Sequence, residues 1–132
     1  MKYVFLFLFV VGVGAAELPP EFVRAIHQVE TGGRYGPIKG DKGKALGPFQ
    51  IHLDCFLDAR AYDKSLRGYK YADVAQYVVA KQVMAAYLNR YAKKAIQEKN
   101  YERLARVWNG GPSGGGAGTD AYWRKVKLAL DQ

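Results

Sequence analysis

Two carboxylic acids eleven residues apart, Glu30 and Asp41, stand in contrasting local sequence. Glu30 ends the amphipathic segment PEFVRAIHQVE and is followed at once by Thr31-Gly32-Gly33. The last turn of a helix carries the negative end of the peptide dipole, and apolar neighbours exclude water. Both effects oppose ionisation of Glu30 and make it a candidate acid. Asp41 lies in YGPIKGDKGKALGPFQIH, where Lys39, Lys42 and Lys44 are close in sequence and Gly40 and Gly43 admit backbone amides, a setting that favours a charged carboxylate. Two carboxyls pushed apart in this way suit an acid working with a base or nucleophile. The same residues also fit a solvated helix end and a turn-forming aspartate, so spacing alone does not decide between catalysis and structure.

The elements that must position them follow from periodicity. Phe22, Ala25, Ile26 and Val29 recur on one helical face, with Pro19 and Pro20 suited to its start and Gly32 to its end. The glycine-rich stretch around Asp41 reads as a tight β-hairpin or loop. A long helical segment spans about Asp73 to Ala95, where Val74, Tyr77, Val78, Met84, Ala85, Leu88, Tyr91, Ala92 and Ala95 trace a core stripe opposite Lys81, Arg90, Lys93 and Lys94. After a polar turn at Glu98-Lys99-Asn100 come a shorter helix, Tyr101 to Trp108, and a last helix expected to start with Thr119 as N-cap and Asp120 at its positive end. The pattern predicts a mostly helical α+β domain with a small β-hairpin after the first helix.

Between the last two helices NGGPSGGGAG holds six glycines in ten residues. It fits a flexible connector, and also a wall that lets a ligand approach backbone amides closely, with Asn109 offering an amide donor and acceptor. Trp108, Tyr122 and Trp123 suit core packing, with one of the three expected to be exposed and free to stack on a ligand ring.

The order and spacing of Glu30-Thr31-Gly32-Gly33, Asp41, Gly47-Pro48-Phe49-Gln50-Ile51, Phe56-Leu57-Asp58, Leu104 to Pro112 (LARVWNGGP) and Tyr122 to Val126 (YWRKV) resemble the invertebrate-type (i-type, destabilase-like) lysozymes over nearly all of residues 17–132. The resemblance implies a lysozyme-like domain in which Glu30 is the general acid and Asp41 its partner, with Gln50, His52, Trp108, Asn109, Gly110, Gly111 and Tyr122 as substrate-binding candidates. The chain departs from that family in having one cysteine, Cys55, where members are rich in disulfides. Its aspartate also stands about one residue nearer the G-x-F-Q-I block, and Trp108 replaces the usual histidine. A looser similarity to goose-type lysozymes and lytic transglycosylases implies a second reading in which Glu30 acts alone.

The N-terminus MKYVFLFLFVVGVGAA has a lysine, an apolar centre and a small-residue end, the pattern of a secretory signal covering residues 1–16. Its apolar run is short for a membrane span, so no stable membrane insertion is expected. Residues 17–132 have the size of one domain, read as a monomer that is secreted, or periplasmic in a Gram-negative source. A lone cysteine in such a setting is expected to be buried, and Cys55 with His52 lacks the orienting third group of a nucleophilic site. His27 and His52 form no metal-ligand cluster, and no metal or cofactor is called for; His27, three residues before Glu30, is placed to hydrogen-bond to it. The formal charge of +8 favours anionic partners, here peptidoglycan and bacterial surfaces. No nucleic-acid-binding motif accompanies it.

These observations lead to the expectation of a secreted muramidase that hydrolyses β-1,4 links between N-acetylmuramic acid and N-acetylglucosamine, with chitin oligomers as poorer substrates. The rivals are a lytic transglycosylase, a non-catalytic module binding peptidoglycan or chitin, and, least favoured, an isopeptidase. Carboxyls about 5 Å apart would imply retention of configuration, and ~6.5–9.5 Å inversion.

Overall fold

The structure, a computed structural model, describes residues 15–132. Residues 1–14, which hold most of the expected signal, lie outside the described residues. No described helix is long and apolar enough to cross a membrane. Helix α1, Pro20–Thr31, leads into three two-residue strands, β1 Lys39–Gly40, β2 Ala45–Leu46 and β3 Ile51–His52, paired antiparallel in the order β1-β2-β3. The rest is helical: α2 Leu53–Tyr62, α3 Tyr77–Gln97, α4 Tyr101–Gly110 and α5 Asp120–Leu130, with two 3-10 turns between α2 and α3 and one between α4 and α5. This is a mostly helical α+β architecture with one small antiparallel sheet.

Local chemistry sets these boundaries. Proline occupies the first position of α1, where its missing N–H costs nothing, and Gly32 adopts the left-handed conformation that ends the helix, donating its N–H to Gln28. The Asn100 side chain caps α4 by accepting from the Arg103 amide. Phe22, Ile26, Phe49, Phe56, Met84, Leu88, Leu104 and Val107 are fully buried in one core shared by α1, the mini-sheet and the four later helices. The short sheet is joined to it through Gly47. There φ is +83° and an added Cβ would stand 2.2 Å from the Val74 carbonyl oxygen, so only glycine fits.

Several sequence expectations need correction. The long helix begins at Tyr77 rather than Asp73, because Tyr71–Ala75 forms a separate 3-10 turn. The phase read from Val74 is therefore broken, and Val78 is 66% exposed instead of in the core. Thr119 precedes α5 but does not cap it; its hydroxyl turns back to the Gly114 and Gly116 carbonyls. Cys55 is half-buried rather than buried. His27 is buried, but its ring bonds the Arg34 carbonyl at 2.8 Å, not Glu30, and packs among Tyr35, Phe49 and Tyr77. The β-hairpin expected after α1 is present, extended by a third strand.

Replacing Gly47 by alanine is expected to cost about 2 kcal/mol or more, since strain and overlap with fixed backbone add. Urea unfolding checks this, and a midpoint like the wild type's would show that the 3-10 turn at Val74 yields.

Candidate active site

A cleft of about 650 Å³ opens where the end of α1, the mini-sheet and the end of α4 meet. Glu30 lines it from α1, Asp41, Gln50 and His52 from the sheet, and Trp108, Asn109, Gly110 and Gly111 from α4. Eight of the nine residues singled out from the sequence thus share one cavity. The ninth, Tyr122, lies behind Glu30, and its hydroxyl donates to Glu30 Oε2 at 3.1 Å. It supports the carboxyl instead of lining the cleft.

Burial dominates the state of Glu30. Loss of water pushes its pKa from an ordinary 4.5 up to about 7, against the opposing pull of hydrogen bonds from Tyr122 and Trp108 and the charge of Lys125. The phenol of Tyr122 is pushed well above 10 by burial and by the nearby Glu30 charge, so it remains a donor. Asp41 is the opposite kind of group. It is exposed at the tip of the β1–β2 hairpin, and its Oδ2 lies 3.4 Å from His52 Nε2. Asp41 and Lys42 have φ of 47° and 56°, two successive non-glycine residues in the left-handed region. Such strain persists only where the surroundings enforce it.

Gln50 contributes to that enforcement. Its Nε2 donates to the carbonyls of Ile38 and Gly47, both at 3.0 Å, and its side chain fills the space a Cβ on Gly40 would need. Although Gln50 lines the cleft, its amide N–H groups are engaged in bracing the hairpin. Half-buried Trp108 packs edge-on against Tyr87, with ring centroids 5.9 Å apart. Tyr122 and Trp123 are half-buried as well, so none of the three aromatics is the exposed one expected.

The glycine-rich segment is an ordered wall. Arg103 donates to the carbonyls of Pro112 and Ser113, and Arg106 to the Gly116 carbonyl, the Thr119 hydroxyl and the carboxylates of Asp120 and Glu102. Gly110 approaches the loop so closely that a Cβ would lie 2.6 Å from Thr119 Cγ2. The connector reading is thereby replaced by a rigid strip that presents Asn109 to Pro112 to the cleft.

Sequence reasoning missed Tyr87, Asp54, Asp58 and Cys55 as lining residues. Their helical spacing marks only which face is buried, and no feature of it marks a cavity. The Cys55 thiol is pushed up to about 12 by burial and by the charges of Asp54 and Asp58, so it stays protonated. Among the described residues no three His, Cys, Asp or Glu side chains converge as a metal site.

Two outcomes follow from Glu30. The folded state keeps its proton up to about pH 7, whereas the unfolded chain releases it near 4.5, so this group lowers stability as pH rises between those values, by on the order of 3 kcal/mol. Glu30→Gln is therefore expected to match the wild type near pH 4 and exceed it in thermal stability at pH 8; an equal gain at both pH values would contradict this. In a carbon-13 NMR titration, Tyr122→Phe should move the Glu30 midpoint above that of the wild type, and an unchanged midpoint would mean that Tyr122 is not an effective donor.

No family model matches the chain, and no curated protein matches it significantly. Among solved structures it is similar to a chain of Aeromonas hydrophila PliI in complex with Meretrix lusoria lysozyme, at 27% identity and a TM-score of 0.68, over 84% of this chain and 89% of that one. It is also similar to inhibitor-bound lysozyme from Meretrix lusoria, at 26% identity and a TM-score of 0.67, over 84% and 89% of the two chains. Tapes japonica lysozyme gives 24% identity, a TM-score of 0.67 and coverage of 83% and 89%, a likeness that bears on the fold alone. Matched along most of its length, with the short antiparallel sheet directly after the first helix, the chain has the i-type lysozyme-like fold in a form with a single cysteine.

Proposed function

We propose that the protein is a muramidase that hydrolyses the β-1,4 link between N-acetylmuramic acid and N-acetylglucosamine in peptidoglycan. The observation that carries this reading is the asymmetry of two carboxyls lining one cleft: Glu30 is half-buried and held protonated up to about pH 7 by its loss of water, while Asp41 is solvent-exposed beside His52. Glu30 gives its proton to the leaving glycosidic oxygen, and the bond to the anomeric carbon breaks. Asp41 attacks that carbon or stabilises its oxocarbenium-like charge. Glu30, now ionised, takes a proton from the incoming water and returns to its starting state.

The neighbouring groups have supporting roles in this scheme. Tyr122 holds the Glu30 carboxyl through its hydrogen bond, and Asn109 with the Gly110–Gly111 backbone offers polar atoms to the sugar. His52 keeps Asp41 oriented. Cys55, protonated across the working range, takes no part, which also weakens an isopeptidase reading that would need a nucleophile. The positive charge of the chain suits wall polymers and anionic bacterial surfaces, and the N-terminal pattern suits export. Chitin oligomers would be poorer substrates.

The exposure of Asp41 favours one rival, a lytic transglycosylase that uses Glu30 alone. Mass spectrometry of muropeptides released from purified peptidoglycan separates the two. Hydrated reducing ends, lost by at least 100-fold in both Glu30→Gln and Asp41→Asn, are the expected result. Anhydro products that survive Asp41→Asn would replace hydrolysis by transglycosylation, and binding without products would leave a glycan-binding module.

A further inference from the structure

A second groove, of about 530 Å³, adjoins the cleft and shares His52 and Asp54 with it. It runs on the Asp41 side, between the hairpin tip and the start of α2. Leu53 and Leu57, four residues apart on α2, present their side chains in it and are 49% and 44% exposed. Exposed leucines paired on the rim of a binding cleft indicate a surface that is covered when ligand arrives. Tyr71 forms the facing wall. Its hydroxyl donates to the Ile51 carbonyl at 2.6 Å and its ring packs on Phe56 with centroids 5.9 Å apart, so that wall is fixed before any ligand binds.

The polar groups of the groove restrict its occupant. Lys44, exposed at the hairpin, has no ion-pair partner among the described residues. The carboxylate of Asp54 is turned onto the Cys55 amide at 2.8 Å, within the first turn of α2 where the helix dipole favours it. What remains for a ligand is a mainly apolar floor with the Lys44 cation at one edge and, at the other, the His52 ring and the second Asp54 oxygen, which can accept a peptide N–H. A further sugar ring, which offers hydroxyls, matches this poorly. A short peptide with methyl side chains and a carboxylate matches it well.

We propose that this groove binds the peptide stem that muramic acid carries on its lactyl group, so that the protein acts on peptide-bearing peptidoglycan in preference to bare glycan. The inference rests on the muramidase reading of the adjoining cleft. Alanine methyls of the stem lie against Leu53, Leu57 and Tyr71, and a stem carboxylate pairs with Lys44. Continuity through His52 and Asp54 lets one muramic acid occupy both sites, its ring in the cleft and its stem in the groove.

The test compares intact peptidoglycan strands with the same strands stripped of peptide by an amidase, using the wild type and the double variant Leu53→Asn, Leu57→Asn. Both positions are exposed, so the variant is expected to fold, and its thermal midpoint is checked. The wild type should cleave intact strands about fivefold to tenfold faster in kcat/KM, the size expected for half-burying a leucine and forming one exposed ion pair. The variant should lose that preference while cleaving stripped strands at the wild-type rate. Equal rates of the wild type on both substrates, or a preference retained by the variant, would overturn the proposal while leaving the muramidase reading intact. A binding measurement that needs no turnover separates the opposite case. In NMR titrations with N-acetylmuramyl-L-alanyl-D-isoglutamine, amide shifts at Lys44, Leu53 and Leu57 support the groove even if no glycan is cleaved, and shifts confined to the cleft count against it.

Discussion

The manner in which α1 stops governs the rest of the molecule. Thr31 is buried, and its hydroxyl sits 3.0 Å from the Pro48 carbonyl and 3.3 Å from those of His27 and Arg34, donating to one of them at a time. Beside it, the His27 ring closes on Arg34 O, while Gly32 reverses the backbone. One turn of helix thereby becomes rigidly attached to the segment that builds the mini-sheet. Glu30 precedes this knot by a single residue, and Asp41 follows at the next hairpin. Without the knot, a two-residue-per-strand sheet would have little to hold it, because such strands are far below the length that is stable alone.

The opposite lip of the cleft is held by a different means. Glycine-rich chain ordinarily costs the most entropy to fix, and here the order comes from two arginines one helical turn apart on α4. Arg103 and Arg106 reach across to four positions of the loop and to the first residue of α5, and the Thr119 hydroxyl joins the same network. The side chains of Arg106 and Asp120 are partly exposed, so the pair contributes modestly to stability. Its importance lies in geometry, since together with Arg103 it ties the loop from Pro112 to Thr119 back onto α4. A helix-borne acid on one side and a pinned glycine strip on the other leave a slot whose width is set before any ligand enters.

Much of this was legible in the sequence where local rules decide the outcome. Proline and glycine punctuation mark the ends of α1, the polar turn Glu98-Lys99-Asn100 marks where the next helix starts, and flanking glycines place Asp41 on a tight reversal. The eight cleft residues were found through motif order, which encodes contacts that periodicity cannot. What escaped were relations between distant segments. Tyr122 meets Glu30 across 92 residues, and no helical pattern distinguishes a phenol that stacks on a sugar from one that props a carboxyl. Tyr87 falls outside the stripe that the sequence marks as core, yet it is buried on every side but the one that lines the cleft. Val78 was misplaced because a 3-10 turn shifted the phase of the helix that follows it.

Cys55, half-buried in the cleft wall, is the one cysteine of the chain. With no second thiol there is no bridge to form or to break within the molecule, and the core of interlocked aromatic and aliphatic side chains has to suffice. Assembly of the native state is thus independent of an oxidant or a disulfide isomerase, and it proceeds in a reducing medium as it would in an oxidising one.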